Sequence, residues 1–112
     1  MTVYTPSQNQ IVQQLGKLAE LVKNGQASES IARNLSKLIG LEINQLEIDL
    51  AATEKDLGEF ERQYDMPTTD FFRQWQAGQT DDRMDYVEWA SLAQMADNLR
   101  KRLEFLNSET QK

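Results

Sequence analysis

The chain has 112 residues, 39% of them hydrophobic and 27% charged, with a formal net charge of −6 and neither cysteine nor histidine. That length suits one domain with a modest core, and the missing residue types exclude disulfides, zinc–thiolate sites and catalysis through an imidazole or thiol. No apolar run is long enough for a membrane span, "MTVYTPSQNQ" lacks the regions of a signal peptide, and a polyanion repels nucleic acid, so a cytoplasmic protein without general nucleic-acid or membrane binding is expected.

Helix one is expected over residues 7–24. "SQNQ" fits a capping box, with Ser7 accepting from an early backbone N–H and Gln10 reaching back. Ile11, Leu15, Leu18 and Val22 follow at spacings of four, three and four, a single stripe on a helical period, and Asn24–Gly25 supplies a left-handed stop. Helix two is expected over 28–65, opening at Ser28 with Glu29 in its first turn. A heptad pattern runs along it, one seam through Ser36, Ile43, Leu50, Leu57 and Tyr64 and the other through Ala32, Ile39, Leu46, Thr53 and Phe60. Gly40 and Gly58 each weaken it by about 1 kcal/mol relative to alanine.

"MPTTD" ends that helix, because Met66 precedes a proline and is pushed away from the α region. A short helix three, 68–77, carries Phe71, Phe72 and Trp75 and stops at Gly78. Helix four, 82–107, is expected to start on a cap from Asp81 or Asp82, with Asp85 one turn in. Trp89, Leu92, Ala96, Leu99, Leu103 and Leu106 form its seam. Two seams joined by a short corner make an antiparallel hairpin, with helix one folding back onto Ile31, Leu35, Leu38, Leu41 and Ile48. The expected fold is all-α: a single domain over 1–112, an elongated antiparallel three-helix bundle or coiled-coil hairpin with a short extra helix at the corner and frayed ends at 1–6 and 108–112.

Aromatic residues and acids both crowd the corner. Phe60, Tyr64, Phe71, Trp75 and Trp89 can fill the wedge where helices two and four separate, as a hydrophobic plug. Phe71 and Phe72 are neighbours on one helix and cannot both face one core, which leaves Phe72, with Tyr86, as the candidate for a partner contact. Between Glu42 and Glu88 there are four basic and thirteen acidic residues, 4 − 13 = −9, so the rest of the chain carries +3. Glu61, Asp65, Asp81 and Asp82 are the acids most apt for a basic partner. The bland reading of the acids at the corner is a solvated face and helix capping: Asp70 in the first turn of helix three and Asp82 and Asp85 in that of helix four can each satisfy orphan N–H groups, and capping accounts for at least two of these three.

Catalysis has little to build on. Glu59, Glu61, Asp82, Asp85 and Glu88 are the nearest thing to a magnesium site; Asp85 and Glu88 have helical spacing, but Glu59 and Glu61 face apart and no phosphate-cradling glycine loop accompanies them. No cofactor or metal is expected. "ASESIARNLSKL" has the flavour of a recognition helix without the helix and turn that should precede it. "RKR" at Arg100–Arg102 reads as a complement to the helix C-terminal dipole.

The run "FERQYDMPTTDFFRQWQAGQTDDRMDYVEW" resembles a family of small helical bacterial and archaeal proteins with the pattern F-E-x-x-Y-x-M, then polar residues, F, an A-G or K-G pair, and D-x-x-D with E-W. The matching positions are Phe60, Glu61, Tyr64, Met66, Phe71, Gly78, Asp82, Asp85, Glu88 and Trp89, and the likeness covers roughly 28–106. Pro67–Thr68–Thr69 departs from the serines and acids usual there, which should alter the cap of helix three. The resemblance implies an antitoxin-like protein of the kind found beside TumE-like toxins. The expected function is therefore a non-catalytic interaction module that neutralises a small basic toxin encoded next door. The alternative is a self-associating coiled-coil structural or adaptor protein, a homodimer through apolar positions such as Leu38, Leu41 and Ile48.

Overall fold

The structure, a computed structural model, describes residues 5–108. Among them no residue is in a strand, and four helices follow in order: α1 (Gln8–Lys23), α2 (Glu29–Tyr64), α3 (Thr68–Gln76) and α4 (Met84–Asn107). The all-α expectation is met, and each boundary lies within two residues of its predicted place. Of the ends expected to fray, Thr5, Pro6 and Ser108 are non-helical and the rest lie outside the described residues. No helix is long and apolar enough to cross a membrane.

Local chemistry explains the breaks. Ser7 Oγ accepts the Gln10 N–H at 3.2 Å while Gln10 Oε1 accepts the Ser7 N–H at 2.8 Å, the reciprocal capping box expected for α1. α1, α2 and α3 all end on the same device, an N–H that reaches back over five residues across a left-handed residue: Gln26 to the Leu21 carbonyl past Gly25, Met66 to Glu61 past Asp65, and Gln79 to Gln74 past Gly78. Asp65 does this at φ 51°, a region its short polar side chain tolerates better than most.

The start of α4 departs from expectation. Neither Asp81 nor Asp82 caps it: Arg83 is the N-cap, with no side-chain cap bond. Asp81 is held instead by Arg83, whose backbone N–H and guanidinium both donate to it, so the carboxylate is committed one turn too early to serve the helix. The basic run also sits differently, since the last turn of α4 holds no basic residue. Arg100 and Lys101 pair with Glu54 and Asp97 at 3.1 and 3.0 Å.

Length argued for a single domain; packing groups the residues into two units, Met1–Leu38 and Ile39–Lys112, with the boundary inside α2. In the second unit, Leu46, Thr53 and Leu57 of α2 and Trp89, Ala90, Ala93, Ala96 and Leu99 of α4 are buried. Contacts between these helices run in opposite chain directions: Tyr64 meets Asp85, Phe60 meets Trp89, Thr53 meets Met95 and Glu54 meets Arg100. Thr53, the polar residue in the seam, returns its hydroxyl proton to the Asp49 carbonyl at 2.8 Å and so buries no unpaired group. In the first unit, no residue of α1 is buried. Leu38 of this unit is 60% exposed, and in the second unit Leu41 and Ile48 are 60% and 54% exposed.

Candidate functional site

The corner is assembled from three helices, each giving two aromatics at helical spacing. α2 presents Phe60 and Tyr64, α3 presents Phe71 and Trp75, and α4 presents Tyr86 and Trp89. Trp89 lies at the centre, 0% exposed, with Phe71 parallel to it at 3.9 Å between centroids and Phe60 and Tyr64 stacked at 5.7 Å each. Tyr86 closes the edge, 5.2 Å from Tyr64 and 5.3 Å from Phe71. Such rings bring 150–250 Å² of roughly apolar surface each, which is why a short helix of nine residues can be held here at all. All five residues expected in the plug are in it; Phe71 and Trp89 are fully buried, while Phe60, Tyr64 and Trp75 are half-buried.

The polar groups around the plug bind the helices to one another. Trp89 Nε1–H donates to Thr68 Oγ1 at 3.0 Å, and the Thr68 backbone N–H donates to Glu61 Oε2 at 2.7 Å. One threonine thus joins α2, α3 and α4. Pro67 occupies the N-cap of α3 with no side-chain bond, and the carboxylate of Glu61, seven residues before Thr68, satisfies one of the orphan donors of the first turn. On the other side the Tyr64 hydroxyl donates to Asp85 at 2.5 Å, with Gln63 donating to the same oxygen. The bond to Asp85, helped by burial, holds the Tyr64 phenol above its ordinary pKa. Arg83 lies over the Tyr86 ring at 4.5 Å, and its side chain and backbone N–H together lower Asp81 to about 2. No buried side-chain nitrogen or oxygen among the described residues lacks a partner.

Several grooves border α4, two of them beside the corner. One, of about 770 Å³, is lined by Phe72, Trp75, Gln76, Val87, Ala90, Ser91 and Gln94. The other, of about 220 Å³, is lined by Asp56, Glu59 and Glu88 together with Phe60, Gln63 and Leu92. Its three carboxylates have no hydrogen-bond or ion-pair partner among the described residues. Among the described residues no cluster of three acids could hold a metal ion, and of the five considered for magnesium, Glu61 and Asp85 are already engaged by Thr68 and Tyr64.

The residues expected to meet a partner fall into different places. Phe72 is half-buried in the wall of the larger groove. Tyr86 belongs to the ring cluster and Glu61 to the α3 cap, so their exposed surface is limited. Asp81 is committed to Arg83, and Asp65 and Asp82 are exposed. Sequence reasoning missed Thr68, Val87, Ala90 and Ala93. The alanines at 90, 93 and 96 carry a legible signal, a three-residue repeat of small side chains; Thr68 carries none, because its role depends on partners 7 and 21 residues away.

Compared with known proteins, the chain matches no family model, no curated protein and no solved structure.

Proposed function

We propose that the chain is a non-catalytic protein-interaction module, an antitoxin-like neutraliser of a small basic protein, built on the hairpin of α2 and α4 with α3 across its end. The observation that carries this reading is a pair of grooves that share α4 as a lining helix. One offers aromatic and small-residue surface to an apolar partner segment; the other offers three carboxylates without partners, backed by Phe60 and Leu92. Lysine and arginine suit the second groove, since their stems pack on apolar surface while their heads meet carboxylates. The −9 balance between Glu42 and Glu88 steers a basic partner toward it and speeds encounter at low salt.

The test is co-expression with a small basic protein encoded beside it, followed by co-purification. The expected result is a stable complex with the neighbour silenced, weakened at least tenfold by Glu59→Lys with Glu88→Lys while tryptophan fluorescence of the corner stays unchanged. A neighbour that remains active and unbound overturns the reading. Self-association is the second reading, favoured by the exposure of Leu38, Leu41 and Ile48.

A further inference from the structure

Part of α2 runs through solvent without burying a side chain. From Ser36 to Glu42, "SKLIGLE", every residue is exposed, which is nearly two turns of helix. A helix resting on a core hides a residue every three or four positions, and α2 does so on both sides of this stretch. Ile31 and Leu35 precede it and are half-buried; Ile43, Leu46 and Leu50 follow it and are half-buried or buried. Within it Leu38, Ile39 and Leu41 are 60%, 47% and 60% exposed, and the boundary between the two units falls after Leu38.

Side chains do not brace the stretch either. Arg33 pairs with Glu29 ahead of it at 3.7 Å, and Gln45 donates to Asp49 behind it at 2.9 Å. Among the described residues, none from 36 to 42 makes a side-chain hydrogen bond or ion pair. Lys37 stands four residues after Arg33, a like-charge pair on one face of the helix. Gly40, a poorer helix former than alanine, lies near the centre, and no atom lies within 4 Å of where a methyl would go, so packing does not demand a glycine there. Gly58, the other glycine of α2, makes the contrast. It follows the buried Leu57 and is itself half-buried, so the seam holds the helix at that point.

We propose that residues 36–42 form a hinge: α2 opens here locally, about Gly40, while the helix on either side stays folded. Opening gives up backbone hydrogen bonds that water can replace, and it uncovers little apolar surface because these side chains are already in water. The buried residues of the chain lie between Leu46 and Leu99, so the core of the second unit is untouched. Leu46 on one side and the half-buried Ile31 and Leu35 on the other anchor the flanking turns, which therefore do not have to nucleate again when the hinge closes. The hinge rests on neither reading of function and serves a neutraliser and a self-associating adaptor alike.

The experiment measures the distance between two spin labels on α2 in the full chain, which has no cysteine of its own to interfere. Asn34→Cys with Ala52→Cys places both labels at exposed positions, 52 − 34 = 18 residues and therefore five turns apart on one face, about 27 Å along a straight helix. A main distance near that value is expected together with shorter ones from bent helices. Gly40→Ala should shrink the shorter population about fivefold, the equivalent of roughly 1 kcal/mol of helix propensity. Asn44→Cys with Arg62→Cys, 62 − 44 = 18, spans Gly58 instead and should give one narrow distance. Amide exchange of the unlabelled chain should show a minimum of protection over residues 39–43, at least about tenfold below both 30–35 and 50–57. A single narrow distance for both label pairs overturns the hinge, and equal breadth for both overturns its location. A distribution unmoved by Gly40→Ala overturns the role of Gly40. Protection that falls steadily from residue 43 to residue 29, with no minimum, means that the helix frays from its end and overturns a hinge.

Discussion

Residues 39–112 and residues 1–38 are both helical and both amphipathic, yet they hold their helices by different means. In residues 39–112 α2 and α4 meet along buried Leu46, Thr53 and Leu57 and a run of alanines, and a tryptophan with no exposed surface is clamped by rings from all three helices. In the other, α1 has a complete capping box and a clean apolar stripe but buries nothing fully. Local signals are as good in one as in the other. What differs is whether a helix has enough neighbours to remove its apolar face from water, and hydrophobic burial is what turns amphipathic helices into stable ones.

The sharpest way to break this comparison is a pair of truncations. Trp89→Ala empties the centre of the plug and leaves the Thr68 hydroxyl without its donor, and should cost about 3–5 kcal/mol in urea unfolding. Leu15→Ala, measured in dilute protein where copies are apart, should stay within about 0.5 kcal/mol, as surface changes do. Equal losses would show that the first unit is better packed than its exposure indicates. Ala96→Leu probes the same contrast from the opposite direction. Ala96 is 0% exposed, so added methylenes must displace a neighbour, and a loss of about 1–3 kcal/mol by thermal melting is expected.

Smaller effects sharpen the picture. Glu61→Ala removes the cap on Thr68 and should cost about 1 kcal/mol, with Glu61→Gln recovering part of it because an amide oxygen can still accept. Gly16→Ala acts in the first unit. Nothing lies within 4 Å of the added methyl, so α1 should gain up to about 1 kcal/mol of helix propensity, read as increased far-ultraviolet helicity. The smallest effect belongs to Asp81. Its folded pKa of about 2 lies below the ordinary 3.8, so its pairing with Arg83 supports the fold above pH 3.8 and that support disappears as pH falls toward 2. The difference in Tm between the wild type and Asp81→Asn should shrink over that window, and 1 M salt, where the screening length is about 3 Å, should reduce it at every pH.

The capping box at Ser7, the stop after Asn24 and the proline break after Met66 each act through atoms a few residues apart, so the sequence by itself determined where the helices begin and end. The same holds for the five rings of the plug, because large apolar side chains concentrated at a corner have few other places to go. Asp81 shows the limit of such reasoning. An acid before a helix looks like a cap, and only the position of Arg83 decided that its carboxylate was spent on an ion pair. Thr68, Glu61 and Asp85 likewise acquired their roles when three helices met, since a hydrogen bond across 7 to 21 residues leaves no local trace. The apolar stripe of α1 was written in the spacing of its residues, whereas its exposure was decided by packing: periodicity gives a helix a face, and only its neighbours determine whether that face is covered.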